Sequence, residues 1–345
     1  MAPEVCLLRL VAQHVAGPPL ADPVTAARHL LAAQGQDAAG VVRSLAVRSR
    51  ARSGQEVLDA YDAGTLVRSW PMRGSLHTVA AEDLGWLQAL ASGRPRAAAA
   101  RRRGQLGLEE NDVTTAERVS ERVAVDGIVR ADLLAAFRSA GLPTDAGRGY
   151  HLIVELAQRG RLCLGPLLSG EQAFILADAW IGSPRRLEGE EALAELVQRY
   201  LLGHGPATVA DLARWAGLPL GSVRSGLAAV RDRLELLEVD GTEYWLDPSV
   251  PDRLATHRAD ACRVHLLPGF DEMILGYADR TATVPPEHSE RIVPGGNGVF
   301  RPTVLVDGIV VGTWRRTRTG VEVEPFGTWR PEVQDEVRRA VDALP

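Results

Sequence analysis

Three times along this chain a run of amphipathic helices is followed by two short strands around a turn, and that recurrence constrains the fold more than any single residue. The third instance is the clearest. Residues 190–202 have helical periodicity, and Thr208 stands where it caps a second helix ending near residue 216. Gly217-Leu218-Pro219 then turns the chain into a third helix at 222–230. Strands at 234–239 and 242–246 flank Asp240-Gly241, a two-residue hairpin signal. Helix, glycine-containing turn, helix and hairpin is the order of a helix-turn-helix with a wing. In the middle instance, helical segments at 111–124, 129–140 and 149–158 lead to strand-like 161–165 and 173–176. The first begins with an amphipathic stretch at 7–16, and Asp22-Pro23 opens a helix to about residue 33. Gln34-Gly35-Gln36 interrupts it and helical periodicity resumes at 38–49. Capping-box spacing at 53–56 opens a helix that Gly64 ends, and strands at 65–70 and 76–79 flank a turn at 71–75. The rest of the chain reads mostly as strand, with Asp307-Gly308 at a second hairpin turn and a closing helix at 331–344. The expectation is an α+β fold: three tandem winged-helix units at residues 1–110, 111–186 and 187–256, then a β-rich C-terminal part at 257–345.

Composition removes whole classes of chemistry. Lysine and arginine together number 39 in the 345 residues, and all of them are arginine. A lysine Schiff base, a pyridoxal aldimine and a phosphate-loop lysine are therefore excluded. Cys6, Cys163 and Cys262 form neither a disulfide framework nor a zinc spacing, and the histidines show no ligand spacing, so neither metal nor cofactor is expected. No apolar run approaches the roughly 20 residues of a membrane span, and the first residues lack a basic region followed by an apolar one. The expectation is a cytoplasmic monomer with no membrane partner. A net charge of −5 argues weakly against nucleic acid, but the distribution of charge matters more than its sum.

That distribution favours double-stranded DNA. Arg94, Arg96, Arg101, Arg102 and Arg103 place five arginines in ten residues with no acid among them. Arg315, Arg316 and Arg318 cluster at a hairpin tip beside Trp314. Such groups can neutralise phosphates, and a hairpin of that width can enter a groove; a solvated arginine-rich loop is the plainer reading of each cluster. Gln34 and Gln36 offer two carboxamides that a kinked backbone can aim at one water, although Gln-Gly-Gln also serves as an ordinary polar connection. Asp37 could act as a base but is read as a helix cap. Asp271 and Glu272, adjacent in an expected strand, face opposite ways and are read as structural. Trp70, Trp215, Trp245, Trp314 and Trp329 are read as core or wing residues.

Ala33-Gln34-Gly35-Gln36, residues 68–77 (RSWPMRGSLH), residues 267–277 (LPGFDEMILGY), residues 298–304 (GVFRPTV) and residues 312–316 (GTWRR) occur here in that order. Together they resemble the AlkZ/YcaQ-type winged-helix DNA glycosylases over nearly the whole chain. The resemblance implies three winged helices in a curved clamp and excision of alkylated bases, bulky N7-alkylpurines and crosslinked ones included. It assigns catalysis to Gln34 and Gln36, placing the chain in the Gln-x-Gln branch, which includes self-resistance enzymes of producers of DNA-alkylating antibiotics. It also brings forward Arg73 and His77, within the 68–77 motif, as DNA contacts, with hydrogen bonding inside the protein as the alternative for His77.

Two neutral amides suit that chemistry. A purine alkylated at N7 is already cationic, so it leaves without protonation, and the protein has only to stabilise an oxocarbenium-like sugar and deliver water. Without lysine, the imine route to strand cleavage is closed, and a monofunctional glycosylase associated with the nucleoid is expected. The competing readings are a winged-helix transcription regulator without catalysis and a protein that binds and shields the lesion or drug.

Overall fold

The computed structural model describes residues 2–345, which divide by contact density into two compact units. One is continuous, Val57–Ala192; the other joins the residues up to Glu56 with Leu193–Pro345. The chain opens with α1 (Ala2–Ala12), α2 (Pro23–Leu30), a two-residue strand β1 (Ala33–Gln34) and α3 (Ala38–Arg48). Helix α4 (Gly54–Asp62) carries it into the continuous unit. There follow β2 (Leu66–Met72), β3 (Ser75–Ala80), α5 (Leu84–Ala91), α6 (Gly93–Gln105), α7 (Glu110–Val123), α8 (Arg130–Ser139), α9 (Arg148–Gln158), β4 (Leu162–Leu168), β5 (Glu171–Leu176) and the single turn α10 (Ala177–Trp180). Helix α11 (Gly189–His204) leads back into the divided unit, where α12 (Val209–Ala216), α13 (Leu220–Val230), β6 (Glu235–Val239) and β7 (Thr242–Leu246) follow. The last part contains α14 (Val250–Ala261), β8 (His265–Leu267), the short α15 (Glu272–Leu275) and α16 (Ser289–Ile292), β9 (Thr303–Val306), β10 (Ile309–Thr317), β11 (Gly320–Pro325) and α17 (Pro331–Asp342).

Local chemistry sets many of these boundaries. The Asp22 carboxylate accepts the Thr25 amide at 2.7 Å with Pro23 at the first helical position, which starts α2. Thr208 and Asp211 form a reciprocal capping box at the start of α12, and Gly217 ends it in the left-handed conformation. Asp240-Gly241 and Asp307-Gly308 both have positive φ at each turn residue, as does Arg73-Gly74, so all three make the tight hairpin turns that match strand twist. Three helices followed by a hairpin recur at α7–β5 and α11–β7, consistent with winged-helix order.

In the continuous unit, antiparallel strands run in the order β3-β2-β4-β5 and pack under α7, α8 and α9 through Val113, Phe137, Leu152 and Phe174. In the divided unit, the antiparallel order is β11-β10-β9-β8, with β6-β7 a separate ribbon. Its core gathers Leu7, Leu10 and Val11 of α1 with Leu254, Leu267, Met273, Leu305 and Val310. No helix among the described residues is long and apolar enough to cross a membrane.

Three expectations need correction. Helix α2 stops at Leu30 rather than near residue 33, because Leu31 leaves helical geometry. The arginine-rich stretch 94–103 is not a loop but the body of α6, whose alanines favour helix. Residues 268–277 are not a strand: Asp271 caps the single turn α15, its carboxylate accepting the Met273 amide at 2.9 Å.

Candidate active site

The bend that presents the glutamines is built on strain. Leu31 has φ +65° and ψ −48°, and the Ala32 amide donates to the Leu30 carbonyl at 2.7 Å, closing a three-residue turn of the high-energy kind. A bulky residue in that conformation costs about 1–3 kcal/mol and persists only where its surroundings fix it. Leu31, Ala32 and Ala33 are all buried, which holds it. The chain leaves this turn extended through Ala33–Gln34, passes Gly35 and enters α3 after Asp37. Gln36 is exposed and Gln34 half-buried. The Gln34 main-chain N–H donates to Glu272 Oε1 at 2.7 Å, while its side-chain Oε1 is buried with no hydrogen-bond partner among the described residues. An orphaned carboxamide oxygen is unfavourable by about 1–3 kcal/mol unless something donates to it. Asp37 stands at the cap position of α3 but makes no capping hydrogen bond. Instead its Oδ2 lies against Gly40, 2.7 Å from where a β-carbon there would stand, and the Gly269 carbonyl is 2.9 Å from the same point.

Behind the bend lie the two carboxylates that the sequence suggested were structural, and both are fully buried. Asp271 accepts Ser44 Oγ at 2.6 Å and the two terminal nitrogens of Arg48 at 2.9 and 2.8 Å. Arg48 in turn donates to the Gln13 carbonyl at 3.0 Å and to Gln13 Oε1 at 2.8 Å. Gln13 donates to the Tyr277 hydroxyl at 2.9 Å, which donates to the His204 carbonyl at 2.9 Å. Glu272, besides holding Gln34, accepts the Trp215 indole N–H at 2.9 Å, and His204 Nε2 is 3.4 Å from it. A buried network so extensively hydrogen-bonded fixes one geometry. Its sequence signal was the stretch 267–277, of which the strand reading obscured the cap at Asp271.

The hairpin arginines of the divided unit differ from one another. Arg315 pairs with Glu322, its cross-strand partner, and Arg316 donates to the Pro345 main-chain oxygen at 2.7 Å. Arg318 is exposed at the tip. Trp314 is buried and its N–H donates to the Leu267 carbonyl at 2.9 Å, tying the hairpin to the strand that leads into Asp271. Trp70, Trp215 and Trp245 are likewise buried, as their reading as core residues required. Sequence reasoning missed Arg43 on α3: burial and the Arg316 guanidinium hold its pKa below the ordinary range, with Asp37 opposing.

In the continuous unit, Arg73 and His77 form a pair. His77 is fully buried, with Nδ1 2.9 Å from the Ser75 carbonyl and Nε2 2.8 Å from an Arg73 nitrogen, so its ring is engaged inside the protein. Along α6, Arg103 turns inward to Glu155, and Arg96 lies 3.8 Å from the same carboxylate. Arg94, Arg101 and Arg102 are exposed. Among the described residues, no three His, Cys, Asp or Glu side chains converge as metal ligands would.

Fold and site together define a class: an α+β protein, rich in arginine, whose strained bend offers a carboxamide where hydrolases more often place a carboxylate. The same fold occurs in the DNA glycosylase AlkZ of Streptomyces sahachiroi, with a TM-score of 0.83 at 23% identity over 99% of this chain and 95% of that one. Residues 27–345 match the family described as DNA glycosylase AlkZ-like, so the chain belongs to that family and is a DNA glycosylase. A relative named "Interstrand DNA cross-link repair glycosylase", also of Streptomyces sahachiroi, is 28% identical over 278 residues, 76% of this chain and 73% of its own length.

Proposed function

We propose that this protein hydrolyses the N-glycosidic bond of N7-alkylated, bulky purines in duplex DNA, with Gln34 and Gln36 positioning the water. The observation that carries the reading is the Gln34 carboxamide, whose buried oxygen lacks a donor while its own backbone is pinned by Glu272. Such an oxygen accepts one O–H of a water and turns the lone pair toward a sugar carbon. The exposed Gln36 supplies the second contact. As the C1′–N9 bond breaks, its electron pair neutralises the cationic base; the water oxygen bonds C1′ and its extra proton passes to solvent. No proton need reach the base first, so no strong acid is required. With no lysine, an imine intermediate has no amine to form it, and the reaction stops at the abasic site.

Residues 1–110, 111–186, 187–256 and 257–345 are read as the three winged helices and the β-rich part. Within the continuous unit the exposed Arg94, Arg101 and Arg102, with Arg73, are read as phosphate contacts, and within the divided unit the exposed Arg318, with Arg315 and Arg316, is read likewise. In the continuous unit, Arg103 and His77 position these contacts from within, and the half-exposed Arg96 adds to them. The name of the Streptomyces relative extends the proposed substrate class to interstrand crosslinks, and the Gln-x-Gln resemblance extends the proposed role to self-resistance against a DNA-alkylating antibiotic. The test is release of free base from a duplex carrying N7-methylguanine, followed by alkali cleavage at the abasic site. Gln34→Ala with Gln36→Ala is expected to lower release by about 100-fold or more and leave DNA affinity within about two-fold. Release at the wild-type rate overturns the assignment.

A further inference from the structure

In the loop whose main chain packs on α3 and whose Glu272 holds the Gln34 N–H, an aromatic residue adopts a backbone conformation that its size disfavours. Phe270 has φ +60°, left-handed for a bulky residue and unfavourable by about 1–3 kcal/mol. It lies between two fixed points. On one side, the Gly269 carbonyl is packed against the first turn of α3 at Gly40 and Asp37, and a β-carbon on Gly269 would stand 2.7 Å from the Phe300 carbonyl. On the other, Asp271 is held by Arg48 and Ser44, and Glu272 holds the Gln34 N–H. The carboxylate clamp that fixes the glutamine therefore fixes Phe270 as well. Its ring is half-buried and tilted 58° to Phe300 at 5.8 Å between centroids. Phe300 packs on the apolar core of this unit and already carries a cation, the Arg280 guanidinium 5.0 Å above its ring.

We infer that Phe270 is a specificity-determining residue: it stacks on the purine of the lesion and favours that purine when it is cationic. This rests on the N7-alkylpurine reading above and deepens it. An aromatic face attracts a cationic ring and gains less from a neutral one of the same shape. A phenylalanine pair offers the backbone phosphates nothing, but offers a purinium the same contact that Phe300 gives Arg280. Discrimination between damaged and normal purine then begins at binding, before any bond breaks.

The test compares two cleavage-resistant duplexes, one carrying 2′-fluoroarabino-N7-methylguanine, which is cationic, the other its neutral isostere 7-methyl-7-deazaguanine. The full-length protein is expected to bind the cationic duplex about five-fold more tightly or better. Phe270→Leu keeps the apolar bulk and is expected to bring that ratio to about one, with the larger loss of affinity falling on the cationic duplex. Phe270→Gly, which suits the left-handed backbone and so guards against misfolding, is expected to do the same. Phe270→Trp should retain the preference. A wild-type ratio in the Leu and Gly variants overturns the inference, as does a wild-type ratio of one. Base release by the wild type from an ordinary N7-methylguanine duplex separates the two levels. Release with discrimination intact in Phe270→Leu sinks this inference alone, whereas no release sinks the reading beneath it too.

Discussion

At the scale of single residues, the site depends on who holds whom. Gln34 was legible as a motif residue, but its anchor was not: Glu272 lies 238 positions away, and periodicity says nothing about contacts at that range. What could have been read was the cap, since an aspartate followed by Glu-Met-Ile-Leu after Pro-Gly-Phe is a helix start as well as a strand. Glu272→Ala leaves the N–H groups of Gln34 and Trp215 without their acceptor, so the bend loosens at the glutamine. Base release is expected to fall by about ten-fold or more, with Glu272→Gln, which keeps an acceptor oxygen, losing less. Single-turnover release measures both. Acid sensitivity also belongs here. Burial, with Arg253 nearby, lowers His14 from 6.5 to about 4, and burial, with His14 nearby, lowers His29 from 6.5 to about 3. Both histidines bind a proton more readily unfolded than folded, so their contribution to stability is complete above pH 6.5 and is lost as pH falls toward 4 and then 3. The thermal midpoint is expected to drop across that window, and His29→Gln should flatten the drop.

At the scale of elements, the sequence was informative wherever a local rule decides the outcome. The Asp-Gly hairpin turns, the Asp22-Pro23 start and the Thr208 cap lie where chemistry dictates within a few residues. It was less so along α6. Arginine-rich composition suggested a loop, yet residues seven apart share a helix face: Arg96 and Arg103 turn to the buried Glu155, while Arg94 and Arg101 face solvent. The two stripes predict different losses. Replacing Arg94, Arg101 and Arg102 by alanine should weaken DNA binding and flatten its salt dependence, the log–log slope falling by about 0.9 for each phosphate no longer neutralised, with the thermal midpoint unchanged. Arg103→Ala should lower the midpoint instead. Titrating binding against salt, alongside melting curves, separates them, and a salt slope equal to the wild type's in the triple variant would remove α6 from the DNA interface. The glycines of the motifs have a similar local logic. A β-carbon at Gly312 would come within 2.8 Å of the Glu324 carbonyl, so the arginine-tipped hairpin needs glycine there to close.

At the scale of the whole molecule, connectivity is the feature least visible in the sequence. Three repeated units suggest beads in series, whereas contact density gathers Val57–Ala192 into one body interrupting another. A repeat of local architecture says which elements form, and the burial of long-range partners decides which of them share a core. The continuous unit owns a core of its own around Phe137, Leu152 and Phe174. A fragment spanning residues 53–192 is therefore expected to unfold cooperatively on heating, as followed by circular dichroism; a broad, featureless melt would count against its independence. The net charge of −5 belongs to this scale as well: the DNA grip proposed for the exposed arginines of α6 and of the hairpin tip rests on their position and not on outweighing the acids elsewhere.

The reach from Gln34 to Glu272 has a consequence for how the protein comes into being. On the ribosome, the glutamine emerges long before the carboxylate that will seat it, and everything in the continuous unit is translated in between. A nascent chain, or one truncated anywhere in that interval, carries the signature tripeptide without its anchor. On the proposed mechanism, the capacity to cut bases from a chromosome is withheld from unfinished copies by topology alone.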